Sequence, residues 1–327
     1  MIKRTLPSLL AMAALGLAAT PAQAAKWDMP LAYPASNFHS ENAAEFATCV
    51  KDKTDGELDI TTHPNGSLFA GNDIKRAVQT GQAEIGERVT SAHENENALY
   101  GVEAIPFIAT SFDASDQLWQ TALPYMEDLL DSQNLVYVYS VPWPASGFYT
   151  KKEINSVDDL KGIKFRAYNA ATARIAELAG MSPMQIEQAE LGQALTTGVV
   201  DSFMTSSTTG VDTKVWEMGI KHFYNVQAWL PRNTVFINKK AWEDLDSGTQ
   251  DAISECGAMT DEKGLEKVKK LDAEYLDTLN ENGVKVSDPS PELEKGLAEF
   301  GEIMADEWLE RAGSDGEEIL EAYNAKQ

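Results

Sequence analysis

The stretch Leu160-Lys-Gly-Ile-Lys-Phe-Arg166-Ala-Tyr-Asn169-Ala-Ala-Thr172 decides the reading of the whole chain. Ile163 to Arg166 predicts a short strand. Asn169 is a good N-cap, and Ala170 to Ala179 is rich in helix formers. Arg166 therefore stands at the carboxyl end of a strand, just before a helix N-terminus. Ligands of open α/β sheets dock at that place. A guanidinium there offers a planar fork of donors matched to a carboxylate. The pattern then repeats: Glu190 to Thr197 reads as a helix, Gly198 ends it, and Val199 to Phe203 reads as a strand.

Outward from this stretch, strands and helices alternate. Trp27 to Tyr33 is a strand candidate, followed by a loop holding Pro34, Ser36 and Asn37. A helix from Ser40 to Lys53, a strand from Leu58 to Thr62, a helix from Gly71 to Thr80 and a strand from Ala83 to Glu87 come next. Such an order implies parallel pairing and a doubly wound sheet. Val102 to Ile108 is strand-like, Ser115 to Leu130 helical and Leu135 to Val141 a strand. Pro142-Trp143-Pro144 then breaks the pattern and is the candidate first crossing between two lobes. Phe148 to Lys152, Ile163 to Arg166 and Val199 to Phe203 build a second sheet. Trp229 to Arg232 is the candidate return, because Thr234 to Asn238 again reads as a strand of the first lobe. A helix from Ser247 to about Asn280 exceeds the usual globular length and is expected to span both lobes. Glu292 to Ala312 and Glu317 to Ala325 are two final amphipathic helices.

The 327 residues suffice for two lobes. Residues 1–24 read as a secretory signal: Lys3 and Arg4, an apolar core from Leu9 to Ala19, then Ala22-Gln23-Ala24. The formal charge is −24, and cleavage after Ala24 leaves 25 basic residues against 51 acidic ones, near −26. So acidic a chain lacks the basic footprint that nucleic-acid binding needs. A hydrated surface in salty surroundings accounts for the charge. Export permits a disulfide between Cys49 and Cys256, and two separate buried thiols satisfy the sequence equally well.

Leu160 to Arg166, Asn169-Ala170-Ala171-Thr172 and Ala194-Leu195-Thr196-Thr197-Gly198-Val199-Val200-Asp201 together resemble the extracytoplasmic solute receptors of tripartite ATP-independent periplasmic (TRAP) transporters. Pro64-Asn65-Gly66-Ser67-Leu68-Phe69 and Phe223-Tyr224-Asn225-Val226-Gln227 extend the resemblance over nearly the whole mature chain. It implies an α/β fold of the two-lobed periplasmic-binding type, its lobes joined by crossings and a long helix. Residues 25–143 plus 232–271 would form lobe one, and 144–231 plus 272–327 lobe two. It implies a periplasmic receptor that closes on a small organic acid and hands it to a membrane permease; a monomer without cofactor is expected. Arg166 would pair with the ligand carboxylate. Thr205 falls where relatives carry a ligand-binding asparagine. Ser146 replaces a second arginine of sialic-acid receptors, which disfavours that ligand and dicarboxylates.

Further ligand contacts are expected from Glu87, which ends the third strand, and from Asn37 and Asn233. Trp143, Phe148, Tyr168, Phe203 and Trp229 lie at crossings or strand ends, where aromatics can wall a cleft. The rival ligand is a small amine held by Glu87 and aromatic faces. The rival class is a secreted enzyme, but no base beside a nucleophile and no metal-binding pattern is present.

Overall fold

The computed structural model describes residues 24–326. The expected signal segment, Ala24 aside, lies outside the described residues. The chain opens with β1 (Ala25–Pro30), α1 (Phe38–Lys53), β2 (Leu58–His63), α2 (Ile74–Gln79) and β3 (Ile85–Val89). Then come α3 (Phe112–Ser132) and β4 (Leu135–Pro142). The second lobe holds β5 (Gly147–Thr150), β6 (Lys164–Ala167), α4 (Ala170–Leu178), β7 (Ser182–Gln185), α5 (Leu191–Thr196), β8 (Ser202–Thr205), α6 (Ser207–Asp212) and β9 (His222–Tyr224). The chain returns through β10 (Arg232–Asn238), α7 (Lys239–Glu243) and α8 (Ser247–Glu281), and ends with β11 (Lys285–Ser287) and α9 (Pro291–Asn324).

In lobe one β1 pairs with β2 in parallel, a parallel bridge from Leu31 to Glu87 joins β1 to β3, and β10 runs antiparallel between β3 and β4. The sheet is therefore mixed, because its last strand returns from the other lobe. Lobe two is a six-stranded sheet in the order β11-β9-β5-β8-β6-β7. Each sheet carries its own apolar core. The strand expected over Val102 to Ile108 is instead a 3-10 helix at Ala98–Ala104. Pro106 and the left-handed backbone of Phe107, φ 63°, close off any continuing ladder.

Residues 143–146 and 225–231 run between the lobes and lie side by side. Trp143 N–H donates to Pro231 O at 2.7 Å, and Ser146 N–H to Trp229 O at 2.8 Å. Helix α8 packs on α1 and β4 of lobe one and on α6 and β11 of lobe two. Its Gly257 and Gly264 do not interrupt it. A Cβ on Gly264 would come within 2.6 Å of Val141, so the glycine allows helix and strand to approach. Asp246 caps α8 by accepting from Gly248 N at 2.8 Å and Thr249 N at 3.1 Å. The disulfide Cys49–Cys256 fastens α8 to α1.

Helix α9 is two helices meeting at Gly313, whose φ of 61° and ψ of −146° only glycine adopts freely. Its last part leaves lobe two. Trp308, Ile319 and Tyr323 pack on Leu99, Val102 and Leu118, and Tyr125 Oη donates to Glu318 at 2.7 Å. The C-terminal tail expected wholly in lobe two thus straps back over lobe one. No described helix is long and apolar enough to cross a membrane.

Behind the crossings, buried Glu103 accepts the Arg232 backbone N–H at 2.8 Å. Burial pushes its carboxyl up to about 8. The folded chain therefore holds a proton there that the unfolded chain releases above 4.5. Stability from this group is present at mildly acid pH and falls as pH rises toward about 8, by about 1.4 kcal/mol per pH unit at the steepest. Glu103→Gln should flatten that slope in denaturant titrations run across the range.

Candidate functional site

Side chains alternate along β6, so Phe165 enters the lobe-two core while Arg166 and, just past the strand, Tyr168 face the cleft. Asn169 then caps α4: its Oδ1 accepts from Thr172 N at 2.9 Å, and Thr172 Oγ1 accepts back from Asn169 N at 3.2 Å. This box fixes where the strand ends, and with it the guanidinium. Arg166 is 3% exposed. Its Nε donates to Ile186 O at 2.9 Å, and its Cζ lies 5.1 Å from the Tyr168 ring centre. Its terminal nitrogens have no hydrogen-bond partner or carboxylate within ion-pair distance among the described residues. Burial lowers its pKa to about 10, still charged at neutral pH.

A small chamber encloses this guanidinium. Tyr33, Arg88 and Trp143 come from lobe one or its edge, and Glu187, Thr205, Ser206 and Thr209 from lobe two. Trp143 is held on every side. Its Nε1 donates to Asn233 Oδ1 at 2.7 Å, and its ring meets Tyr33 edge-on at 4.8 Å and Phe38 at 5.3 Å. Behind Tyr168, the Trp229 Nε1 donates to the phenol oxygen at 3.2 Å. Arg88 Nη2 donates to Asn72 at 2.7 Å and to Glu187 Oε2 at 3.1 Å. Two arginines and one carboxylate thus line the chamber, and the carboxylate is spent on Arg88. One uncompensated positive charge remains, on Arg166.

Three hydrogen bonds hold the lobes together around the chamber. Arg88 reaches Glu187, Asn169 Nδ2 donates to Ser91 Oγ at 3.1 Å, and Asn37 Nδ2 donates to Asp212 Oδ2 at 2.7 Å. Asn37 also caps α1 through His39 N at 2.9 Å. Asn37→Ser should keep the cap and lose the bridge to Asp212, which exists only with the lobes together. A hydrogen bond to a charged group contributes about 1.5–3 kcal/mol, so affinity should drop roughly tenfold or more in a calorimetric titration.

A larger cleft, about 700 Å³, opens between α4, residues 98–106 and α9. Its arginines are occupied: Arg174 pairs with Glu307 at 2.7 Å, and Arg311 with Glu94. The unpaired charge lies in the small chamber.

Of the residues expected in the site, Arg166, Trp143, Tyr168 and Thr205 line the chamber. Asn233 and Trp229 stand directly behind it, each holding a lining aromatic. Asn37 bridges the lobes without lining it. Phe148 and Phe203 are fully buried in the lobe-two core, Phe203 stacked on Tyr149 at 4.5 Å. Glu87 is turned the other way. On β3 it faces α1, with Oε1 3.2 Å from His39 Nδ1, while its neighbour Arg88 faces the cleft. This removes the anchor of the amine alternative. It also corrects the expectation of a single cleft arginine, although Glu187 neutralises the second. Sequence reading missed Tyr33, Arg88, Glu187, Ser206 and Thr209. Tyr33, Arg88 and Glu187 come from segments far apart in the chain that no local pattern marks, whereas Ser206 and Thr209 follow directly on Thr205 in one run of small hydroxyl residues.

Two α/β lobes, joined by paired crossings and a shared helix and closed on a buried chamber with one open cation, define a solute-binding receptor of the periplasmic type. Residues 32–312 match the family described as bacterial extracellular solute-binding protein, family 7 (DctP), and the chain belongs to it. A TRAP solute binding protein from a marine metagenome, an unidentified microbe, is 50% identical. It was crystallised with co-purified pyroglutamate, superposes with a TM-score of 0.91, and the match covers 93% of this chain and 99% of that one. An extracytoplasmic solute receptor of Bordetella pertussis that binds pyroglutamic acid is 46% identical, with a TM-score of 0.91 and coverage of 93% and 100%. A monocarboxylate 2-oxoacid-binding periplasmic protein of Nostoc sp. (strain PCC 7120) is 25% identical over 92% of this chain and 83% of its own. The chain is a TRAP solute-binding protein.

Proposed function

We propose that this receptor captures pyroglutamate, or a small cyclic monocarboxylate of the same size, and delivers it to the membrane permease subunits of a TRAP transporter. The observation that carries the reading is the Arg166 guanidinium, buried and unpaired in a chamber with one net positive charge. A monoanion balances that charge, whereas a dicarboxylate would bury a second anion without a partner. Pyroglutamate is what the relatives 50% and 46% identical bind, which supports the same ligand here. Arg166 takes the carboxylate as a charge-assisted fork. Tyr168 and Trp143 wall the ring, Thr205 adds a hydroxyl, and Asn233, Trp229 and Asn37 hold the walls and the closure. The ligand touches both lobes only when they meet, so binding shifts the population toward the closed form.

The protein works outside the cytoplasm, in the periplasm, exported by residues 1–24 as a cleavable signal. It acts as a single chain and as a carrier rather than an enzyme. A thermal-shift panel tests the reading. Pyroglutamate should raise the melting temperature by mass action, and succinate and small amines should leave it unmoved. A larger shift with succinate, or none with any monocarboxylate, contradicts it.

A further inference from the structure

We infer that Glu187 makes this receptor selective for carboxylates that carry a ring N–H, by accepting that hydrogen from the ligand. The inference rests on the chamber being a carboxylate site built on Arg166. Glu187 Oε2 is engaged by Arg88 at 3.1 Å. Its other oxygen, Oε1, is buried and has no hydrogen-bond partner among the described residues. A buried acceptor on an ionised group is costly to leave unmet, so a ligand donor at that position is favoured and a ligand acceptor is repelled.

The other polar atoms around the chamber point to the same arrangement. Arg166 offers its terminal nitrogens, Arg88 Nε is buried and unpartnered, and Ser206 Oγ is buried and unpartnered. The hydroxyls of Thr205 and Thr209 are 3.2 Å apart, so one donates to the other and the second O–H stays available. The lining side chains thus supply several donors and a single acceptor-only group. A complementary ligand carries acceptors on most of its edge, a carboxylate and a carbonyl, and one donor where it meets Glu187. A five-membered lactam acid has that pattern. Its lactone counterpart, with a ring oxygen in place of N–H, has the same shape and sets an acceptor against an acceptor.

The test compares dissociation constants for pyroglutamate and for 5-oxotetrahydrofuran-2-carboxylate, measured by calorimetry. The parent protein should prefer the lactam by about 100-fold or more, since a site built for an N–H rejects the analogue lacking it. In Glu187→Gln the amide can turn its NH₂ toward the ring oxygen, so the preference should collapse to within about tenfold. Arg88→Gln breaks the same ion pair from the other side and should keep the lactam preference, which separates acceptor chemistry from general disturbance. Equal binding of lactam and lactone by the parent protein, or an undiminished preference in a folded Glu187→Gln, overturns the inference. Binding of neither acid overturns the carboxylate reading itself, and this one with it.

Discussion

Arg166→Ala is expected to raise the dissociation constant for pyroglutamate by about 100-fold or more, while the unliganded protein melts no lower than its parent. Truncating one member of a buried, hydrogen-bonded charge pair costs about 2–5 kcal/mol, much of it from the ligand carboxylate left buried without its partner. The unliganded protein should not suffer, because Arg166 makes one protein hydrogen bond, from Nε to Ile186, and burial already works against its charge. That penalty is constant at neutral pH. It changes only between about 10 and the ordinary 12.5, where the unfolded chain holds a proton that the folded chain has lost. Arg166→Lys should recover part of the affinity through charge but not the two-pronged geometry. Calorimetry against pyroglutamate, with melting curves of the empty proteins, checks both halves of the expectation.

Removing the Cys49–Cys256 bond should lower stability by about 2–5 kcal/mol and leave ligand affinity within a few-fold of the parent. The bond joins residues 207 apart in sequence. Opening so long a loop returns much conformational freedom to the unfolded chain. Against the total stability of a typical protein, about 5–15 kcal/mol, this is a large share. The bond ties α1 to the lobe-one half of α8, and neither cysteine lines the chamber. A Cys49→Ser, Cys256→Ala double variant, unfolded in urea and titrated with pyroglutamate, separates the two quantities. A matching loss of affinity would mean that the α1–α8 packing sets the lobe geometry as well.

The part of the site legible in the sequence is the part written in one continuous stretch. The strand, the Asn169 cap and the α4 helix are local, so Arg166 and Tyr168 could be placed at the sheet rim from their neighbours alone. Glu87 shows where such reading fails. A strand can be recognised, yet which parity faces the cleft depends on what packs against each side. Here α1 takes Glu87 and the cleft takes Arg88. Phe148 and Phe203 fail for the same reason: a strand-end aromatic points to core or cleft according to tertiary packing. Tyr33 and Glu187 sit in irregular segments just beyond strands, where no period operates. Gly257 and Gly264, which would weaken an isolated helix, are contact points with β4. The two thiols left a bond and two separate buried groups equally open, because the approach of α1 to α8 is a property of the assembled lobe.

The most direct measurement of the central claim is a calorimetric titration of the mature protein with pyroglutamate. One ligand per chain at micromolar affinity or tighter, lost in Arg166→Ala with folding intact, is the expected result. Heat unchanged by that substitution, or no heat with pyroglutamate at all from a folded protein, would show that the buried guanidinium is not what this receptor uses to hold its cargo.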